Sequence, residues 1–491
     1  MTLLENPPEL ADLVAQIRRL ERAARPLDPG TSRRRALRTP VLASAERFLR
    51  QIENLKAFDD QGDGAALLES PIRETGTPMH QVIETFEREV VRPGLNPASG
   101  GFLAYVPGGG LYHSALGDYL SAVSNKYAGV FYTGPGAVRM EHQLIRWVAD
   151  LVGYPATATG NLASGGSIAN LVAIATARDA HSLKGSDFAR AVVYLTNQAH
   201  HSLAKALRIA GLGEAILRPI AMDQESRMRP DALAATIASD RAQGLRPWLV
   251  IATAGTTDTG AVDPLDQIGE IANREGCWFH VDAAYGGFFL LTDWGRATLK
   301  GIERSDSVVL DPHKSLFLPY GLGIVLVKNA AALMATHHYS ANYMQDARND
   351  DELSPADISP ELTKHFRALR MWLPLKVIGV APFRAALEEK LLLARYFRHR
   401  IKAVGFDVGP PPELSVVTYR HRPEGQSLAR VNDHNQQIVD RVRRDGRVFI
   451  SSTMLGDQFT LRLAALAFRT HQRNIDLAVS VLAGAAGIEL P

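Results

Sequence analysis

The sequence predicts an α/β protein: a mostly parallel sheet covered by helices on both faces, preceded by a helical segment and followed by a small α+β domain. Three observations carry this. Five short, β-branched apolar runs, at 191–195, 248–252, 277–281, 307–310 and 323–327, are separated by stretches of helical periodicity. Each run is apolar at successive rather than alternate positions, the pattern of a strand buried on both faces. Polar or charged clusters follow four of the runs directly, where open α/β sheets hold their ligands.

Taken in order, the first hundred residues read as helical and peripheral. Leu10, Leu13, Ile17 and Leu20 recur at helical spacing, as do Val41, Ala45, Phe48 and Ile52, with Pro26 and Pro40 as punctuation. Arg33-Arg34-Arg35 is an interaction patch or, more plainly, a solvated helix end. Helices are expected between the strands at 167–180, 202–211, 231–243 and 264–275. Beyond about residue 380 come a helix at 383–404, a strand at 415–419, a helix near 430–445 and strands near 447–452 and 459–464. The expected organisation is a helical segment over 1–111, a large domain over 112–380 and a small α+β domain over 381–491.

Composition narrows the function. The chain has 491 residues, 46% hydrophobic and 22% charged, which excludes wholesale disorder or coiled coil. A net charge of +2 gives no global field for nucleic acid or an anionic membrane. The single cysteine, Cys277, excludes an internal disulfide and a multi-cysteine zinc site. No apolar run reaches about 18 residues, so no membrane span is expected. Met1 to Pro8 lacks the basic-then-apolar pattern of a signal peptide, so a cytoplasmic location is expected.

The clusters after the strands carry the chemistry. Ser164-Gly165-Gly166-Ser167 opens a helix and offers free N–H groups, hydroxyls and a positive dipole end to a phosphate. It is neither a Walker A loop nor Gly-x-Gly-x-x-Gly. Asp282 ends an apolar strand, where a carboxylate is costly unless it is paired. It either caps a turn or holds a heteroaromatic nitrogen protonated. Lys314, between His313 and Ser315, is either an ion-pair partner or a desolvated amine able to form a Schiff base. Amine, acid and anion cradle together meet the needs of one cofactor, pyridoxal 5′-phosphate. The histidine pairs His200-His201 and His337-His338 lack carboxylates at helical ligand spacing, so no metal is expected.

Six segments in order resemble the group II pyridoxal-phosphate-dependent amino-acid decarboxylases. They are Gly134-Pro135 to Glu141, Ser164 to Asn170, Ala199-His200, Gly255-Thr256-Thr257, His280 to Tyr285 and Asp311 to Lys314, with an echo at Leu461-Arg462 and Arg469-Thr470. The resemblance implies a fold type I architecture with a seven-stranded sheet, a homodimer with sites at its interface, and decarboxylation of an L-amino acid to its amine. It makes Lys314 the Schiff-base lysine and Asp282 the partner of the pyridine nitrogen. His200 would stack on the ring, and Gly166 and Ser167 would hold the phosphate. Thr257 and Ala284 would line the ring, with His313 beside the Schiff base. His280 shares a strand face with Asp282 and is either a supporting partner or a satisfied core histidine.

Three departures qualify the resemblance. Relatives carry a lid Tyr that protonates Cα, and here that position falls near Pro355, with no Tyr between Tyr343 and Tyr396. Tyr339, Tyr343 and Asp357 are candidate donors. Loss of this Tyr accompanies aldehyde formation with oxygen in some relatives, so an aldehyde synthase is the alternative; a non-catalytic pyridoxal-binding protein and a nucleotide-binding α/β protein are weaker ones. Asp311 stands where many relatives place an Asn near the phosphate, and it is not assigned to phosphate. On the substrate side, Gly108 and Gly129 replace a hydroxyl and a bulky ring, while Tyr105, Tyr127 and Phe131 keep the pocket partly aromatic.

Overall fold

The computed structural model describes residues 10–106, 108–338 and 352–489. The chain divides into two compact units, Met1–Leu55 with Asp59–Gly94, and Lys56–Phe58 with Leu95–Pro491. The first unit contains helices α1 (Leu10–Ala24), α2 (Thr31–Gln51) and α3 (Met79–Phe86), none of which buries a residue. Pro40 lies inside α2 and does not punctuate it. A proline forfeits its own donation to the preceding turn, but the turns after it can still close. The Arg33 to Arg35 cluster is in the exposed first turns of this helix.

The second unit holds the sheet. Its strands are β1 (Thr159–Ala163), β2 (Ala191–Leu195), β3 (Ile216–Pro219), β4 (Arg246–Thr253), β5 (Trp278–Asp282), β6 (Ser307–Leu310) and β7 (Gly323–Val327). Their spatial order is β1-β7-β6-β5-β4-β2-β3. The run from β6 to β3 is parallel, and β7 is antiparallel to both of its neighbours. This is the mostly parallel seven-stranded sheet expected from the resemblance. Alternate residues go to opposite faces. Val192, Tyr194, Val250, Phe279, Val281 and Val308 pack on one side. Val193, Leu249, Ile251, Trp278, Val309 and Val325 pack on the other. Both faces are buried, which is why the runs read as continuously apolar.

Helix α4 (Tyr112–Ser124) and helix α5 (Pro135–Val152) precede the sheet; α6 (Gly166–Ala180) follows β1 and α7 (His201–Ile209) follows β2. Two others, α8 (Pro230–Ala242) and α9 (Leu265–Arg274), complete the four helices expected between strands.

The C-terminal part forms a four-stranded antiparallel sheet of β8 (Asp407–Val408), β9 (Val416–Arg420), β10 (Ser451–Leu455) and β11 (Gln458–Ala464), in the order β8-β9-β11-β10. Helices 381–403, 428–445 and 472–486 pack around it through Phe397, Ile438 and Leu482. The strand expected at 447–452 is displaced to 451–455. The apolar run Val448-Phe449-Ile450 instead bonds to an earlier segment: Leu103 N donates to Phe449 O at 2.8 Å, and Phe449 N to Gly101 O at 2.9 Å.

No helix among the described residues is long and apolar enough to cross a membrane.

Candidate active site

The carboxyl ends of β1, β4, β5 and β6 lie along one edge of the sheet, because these four strands run in the same direction. A cavity of about 370 Å³ opens there. All eight residues singled out from the sequence line it: Gly166, Ser167, His200, Thr257, Asp282, Ala284, His313 and Lys314. Ser164, Asn170, Ser202, Gly255, Tyr285 and Asp311 also contribute.

The glycine segment turns from β1 into α6, and Gly166 is the first residue of that 15-residue helix. A methyl group on Gly166 would fall 2.8 Å from Asp311 Oδ2, so the absence of a side chain lets the Asp311 carboxyl pack against this turn. The α6 N-terminus is long enough to present a positive dipole end to an anion.

Asp282 is 5% exposed at the end of β5. Its Oδ1 accepts from Ala284 N at 3.1 Å and its Oδ2 from Asn170 Nδ2 at 3.2 Å. His280, on the same strand face, reaches Asp282 only through Asn170, whose Oδ1 lies 2.9 Å from His280 Nε2. His280 is therefore both a satisfied core histidine and a supporting partner. Burial pushes its pKa down to about 4, against the opposing pull of Asp282.

Lys314 follows β6 in a short helical turn, Pro312–Ser315. Its Nζ lies 3.0 Å from Asp311 Oδ2. Asp311 is 1% exposed, and its other oxygen, Oδ1, is buried without a partner. His313 Nδ1 lies 2.6 Å from Leu322 O, and burial lowers the His313 pKa. His200 caps α7 through Nδ1, which accepts from Ser202 N at 3.3 Å. Desolvation lowers the His200 pKa, opposed by Asp282.

The loop after β4 is fixed from the C-terminal sheet. Arg462 on β11 donates to Thr257 O, to Asp258 O at 3.2 Å and to Ser451 Oγ at 2.9 Å. Thr470 Oγ1 donates to Gly100 O at 2.8 Å. Of the echo at Leu461-Arg462 and Arg469-Thr470, Arg462 thus braces the loop that carries the cavity-lining Thr257.

The residues read as the substrate side are not brought to the cavity. Tyr127 turns its hydroxyl to Leu362 O at 2.9 Å. Phe131 lies under the Arg139 guanidinium, and Tyr105 packs on Phe102 and Phe449. Gly108 has no room for a side chain, since its Cβ would fall 2.5 Å from Lys314 O. Asp357, a candidate proton donor, is engaged elsewhere: Oδ1 meets His338 Nδ1 at 3.0 Å and Oδ2 accepts from Ser354 N at 3.2 Å. Tyr339 and Tyr343 lie outside the described residues. Among the described residues no group of three or more His, Cys, Asp and Glu could hold a metal ion.

The site fits pyridoxal phosphate on its own geometry: a Ser-Gly-Gly-Ser turn at a helix N-terminus, a buried carboxylate and an amine face one cavity. Comparison with known proteins agrees. A family model described as "Pyridoxal-dependent decarboxylase conserved domain" matches residues 62–422. An aromatic-L-amino-acid decarboxylase of Bacillus atrophaeus is 35% identical over 431 residues, covering 86% of this chain and 89% of the relative. A phenylacetaldehyde synthase of Arabidopsis thaliana is 28% identical over 417 residues, covering 82% and 85%. The crystal structure of Oryza sativa TDC with PLP and tryptamine has a TM-score of 0.88 at 23% identity, covering 94% of this chain and 99% of that one.

Proposed function

Because the chain belongs to the pyridoxal-dependent decarboxylase family and its cofactor is pyridoxal 5′-phosphate, we propose that it converts an L-amino acid to the corresponding amine and CO₂, with Lys314 as the Schiff-base residue. The observation that carries this is the convergence of Lys314, Asp282, His200 and the Gly166–Ser167 turn on one cavity.

When bound, the cofactor supplies an electron sink for the pair left at Cα as CO₂ departs. The chain's own residues do the rest. Gly166 N–H and the Ser167 hydroxyl, at the positive end of α6, receive the phosphate. Asp282 would hold the proton on the ring nitrogen by its negative charge, which would raise the pull on those electrons. His200 would be the flat partner of the ring, and Thr257, Ala284 and His313, which line the same cavity, would enclose it. Asp311 holds the Lys314 ammonium at 3.0 Å and so places that nitrogen at the cavity wall.

The missing lid Tyr favours a second reading, an aldehyde synthase that consumes oxygen. Product stoichiometry decides between the two. One CO₂ with one amine and no peroxide supports decarboxylation, whereas equimolar peroxide and ammonia would replace it with the second reading. A panel of aromatic, acidic and basic L-amino acids assayed this way also identifies the substrate.

We also propose a homodimer. Leu116, Tyr119, Leu120 and Val123 expose an apolar face on α4. Separately, Leu10, Leu13, Ile17 and Leu20 of α1 are exposed although apolar. Faces of this kind are buried by a partner in stable proteins. Light scattering should give twice the chain mass, and a fully active monomer would refute it.

A further inference from the structure

Asn170 stands on α6 one turn beyond the anion cradle and is 1% exposed. Its amide makes three contacts. Nδ2 donates to Asp282 Oδ2 at 3.2 Å and to Ser202 Oγ at 3.4 Å, while Oδ1 faces His280 Nε2 at 2.9 Å. Two chains extend from it. In one, His280 Nδ1 meets Ser307 Oγ at 2.8 Å, and Ser307 Oγ accepts from Trp278 Nε1 at 2.8 Å. In the other, Ser202 Oγ meets His200 Nδ1 at 2.7 Å.

The ends of this network fix its direction. An indole N–H only donates and a carboxylate only accepts. Asp282 accepts from Asn170 Nδ2, which turns Asn170 Oδ1 to His280 Nε2 and leaves His280 Nδ1 to accept from the Ser307 hydroxyl. Neutral His280 then carries its proton on Nε2 and donates it to Asn170 Oδ1. The amide is held with its oxygen towards His280 and both Nδ2 protons towards Asp282 and Ser202. On the second arm the Ser202 backbone N–H also points at His200 Nδ1. Nδ1 is therefore an acceptor, Ser202 Oγ passes its proton to it, and the His200 proton sits on Nε2.

We propose that Asn170 is a positioning residue: its single amide sets the orientation of the Asp282 carboxylate and, through Ser202 Oγ, braces the His200 ring, whose tautomer the Ser202 backbone N–H already fixes. The proposal rests on the reading that Asp282 meets the ring nitrogen. Buried side-chain networks of this kind specify one arrangement because every alternative leaves a donor or acceptor unpaired. Removing the amide frees Asp282 Oδ2 to turn and unties His200 from the same support.

The test uses the holoenzyme with Asn170→Ala, Asp282→Asn, the double variant and Ser202→Ala. The readouts are the cofactor dissociation constant, the pH midpoint at which its bound absorbance changes, and kcat and KM. Asn170→Ala should weaken cofactor binding and lower kcat by about tenfold each, with little change in KM, and should move the pH midpoint; couplings of this size are usual between groups in contact. In the Asp282→Asn background the same change should move binding and midpoint by under about threefold, since the group it acts through has changed. Ser202→Ala should alter kcat while sparing the midpoint. A wild-type midpoint and dissociation constant in Asn170→Ala, or full additivity with Asp282→Asn, would overturn the proposal. Should Asn170→Ala fail to fold, Ser307→Ala unties the far end, and an unmoved midpoint there overturns the proposal equally. If Asp282→Asn itself behaves as wild type, the Asp282 reading falls and takes this one with it. If Asp282→Asn is impaired and Asn170→Ala is not, only the positioning role is refuted.

Discussion

The strand-end side of the cavity and the segments read as its substrate side are held in different ways. Asp282, Asn170, His280 and His200 are fixed by side-chain hydrogen bonds, each with a defined partner. The glycines and Phe131 of the second region are held at their backbone atoms. Gly108 N donates to His313 O at 3.2 Å, Ala356 N donates to Gly129 O at 2.9 Å, and Ser354 Oγ accepts from Phe131 N at 3.0 Å. Tyr105 and Val106 are held at φ of 58° and 68°, which non-glycine residues rarely adopt. Side-chain identity sets the first region, and chain path at Tyr105, Val106, Gly108 and Gly129 sets much of the second. Substitutions in the first should therefore cost chemistry, and in the second position or stability.

The largest effect is expected at Lys314. Lys314→Ala should lower turnover by at least about a thousandfold, as expected for loss of a covalent nucleophile. Circular dichroism should still show the fold. Borohydride reduction of the wild type followed by peptide mapping should tag Lys314. A tag on Lys126 or Lys205 would break the comparison at its root.

The second effect is on stability. His280 has a folded pKa of about 4 against an ordinary 6.5. Between these values the unfolded chain binds a proton that the folded chain refuses. This group's contribution is complete above pH 6.5 and is lost as pH falls towards 4, by on the order of 3 kcal/mol. His280→Gln should flatten that part of the stability profile in urea titrations. An equally steep acid loss in the variant would mean that the strand-end network is not the acid-sensitive element.

The same contrast accounts for what was legible in the sequence. The five central strands announced themselves because both faces are buried. Strands β1 and β3 did not: they sit at the two edges and carry Gly160, Asn161 and Pro219, which interrupt the apolar run. Asp282 and Lys314 stood out because a charged group directly after an apolar strand falls at the strand ends, where its desolvation must be offset by a partner or a ligand, whereas His200, Thr257, Ala284 and His313 were singled out through the resemblance. Asn170 was not, since its partners Ser202, His280 and Asp282 lie 32, 110 and 112 residues away. Nor were the contacts of Gly108 and Tyr127, because a close backbone approach and a bond to a distant carbonyl leave no local pattern.

Gly108 offers a smaller effect that links the two regions. A methyl group there would meet Lys314 O and Phe317 Cα, both at 2.5 Å and both backbone, so the chain must shift. Gly108→Ala should cost about 1–3 kcal/mol in denaturant unfolding, the usual range for overpacking. Because the displaced backbone carries Lys314, kcat should fall as well, by about tenfold for each 1.4 kcal/mol added to the barrier. Wild-type stability and kcat would show that the two regions are independent.

The smallest effect sharpens the assignment of the substrate side. Tyr127 spends its hydroxyl on Leu362 O, and that hydroxyl lies 3.2 Å from where a Gly129 side chain would begin. The ring therefore occupies space that a bulkier residue 129 would need, and the bond ties it to the segment around Leu362. If this bond is structural, Tyr127→Phe should lose about 0.5–1.5 kcal/mol, the net worth of one hydrogen bond, and leave KM unchanged. If the hydroxyl instead reads the substrate, KM should rise for hydroxyl-bearing or charged substrates while stability stays close to wild type. The geometry favours the first outcome, because the hydroxyl already has a partner at good distance and the ring does not line the cavity. Measuring urea midpoint and KM on the same preparation separates the two.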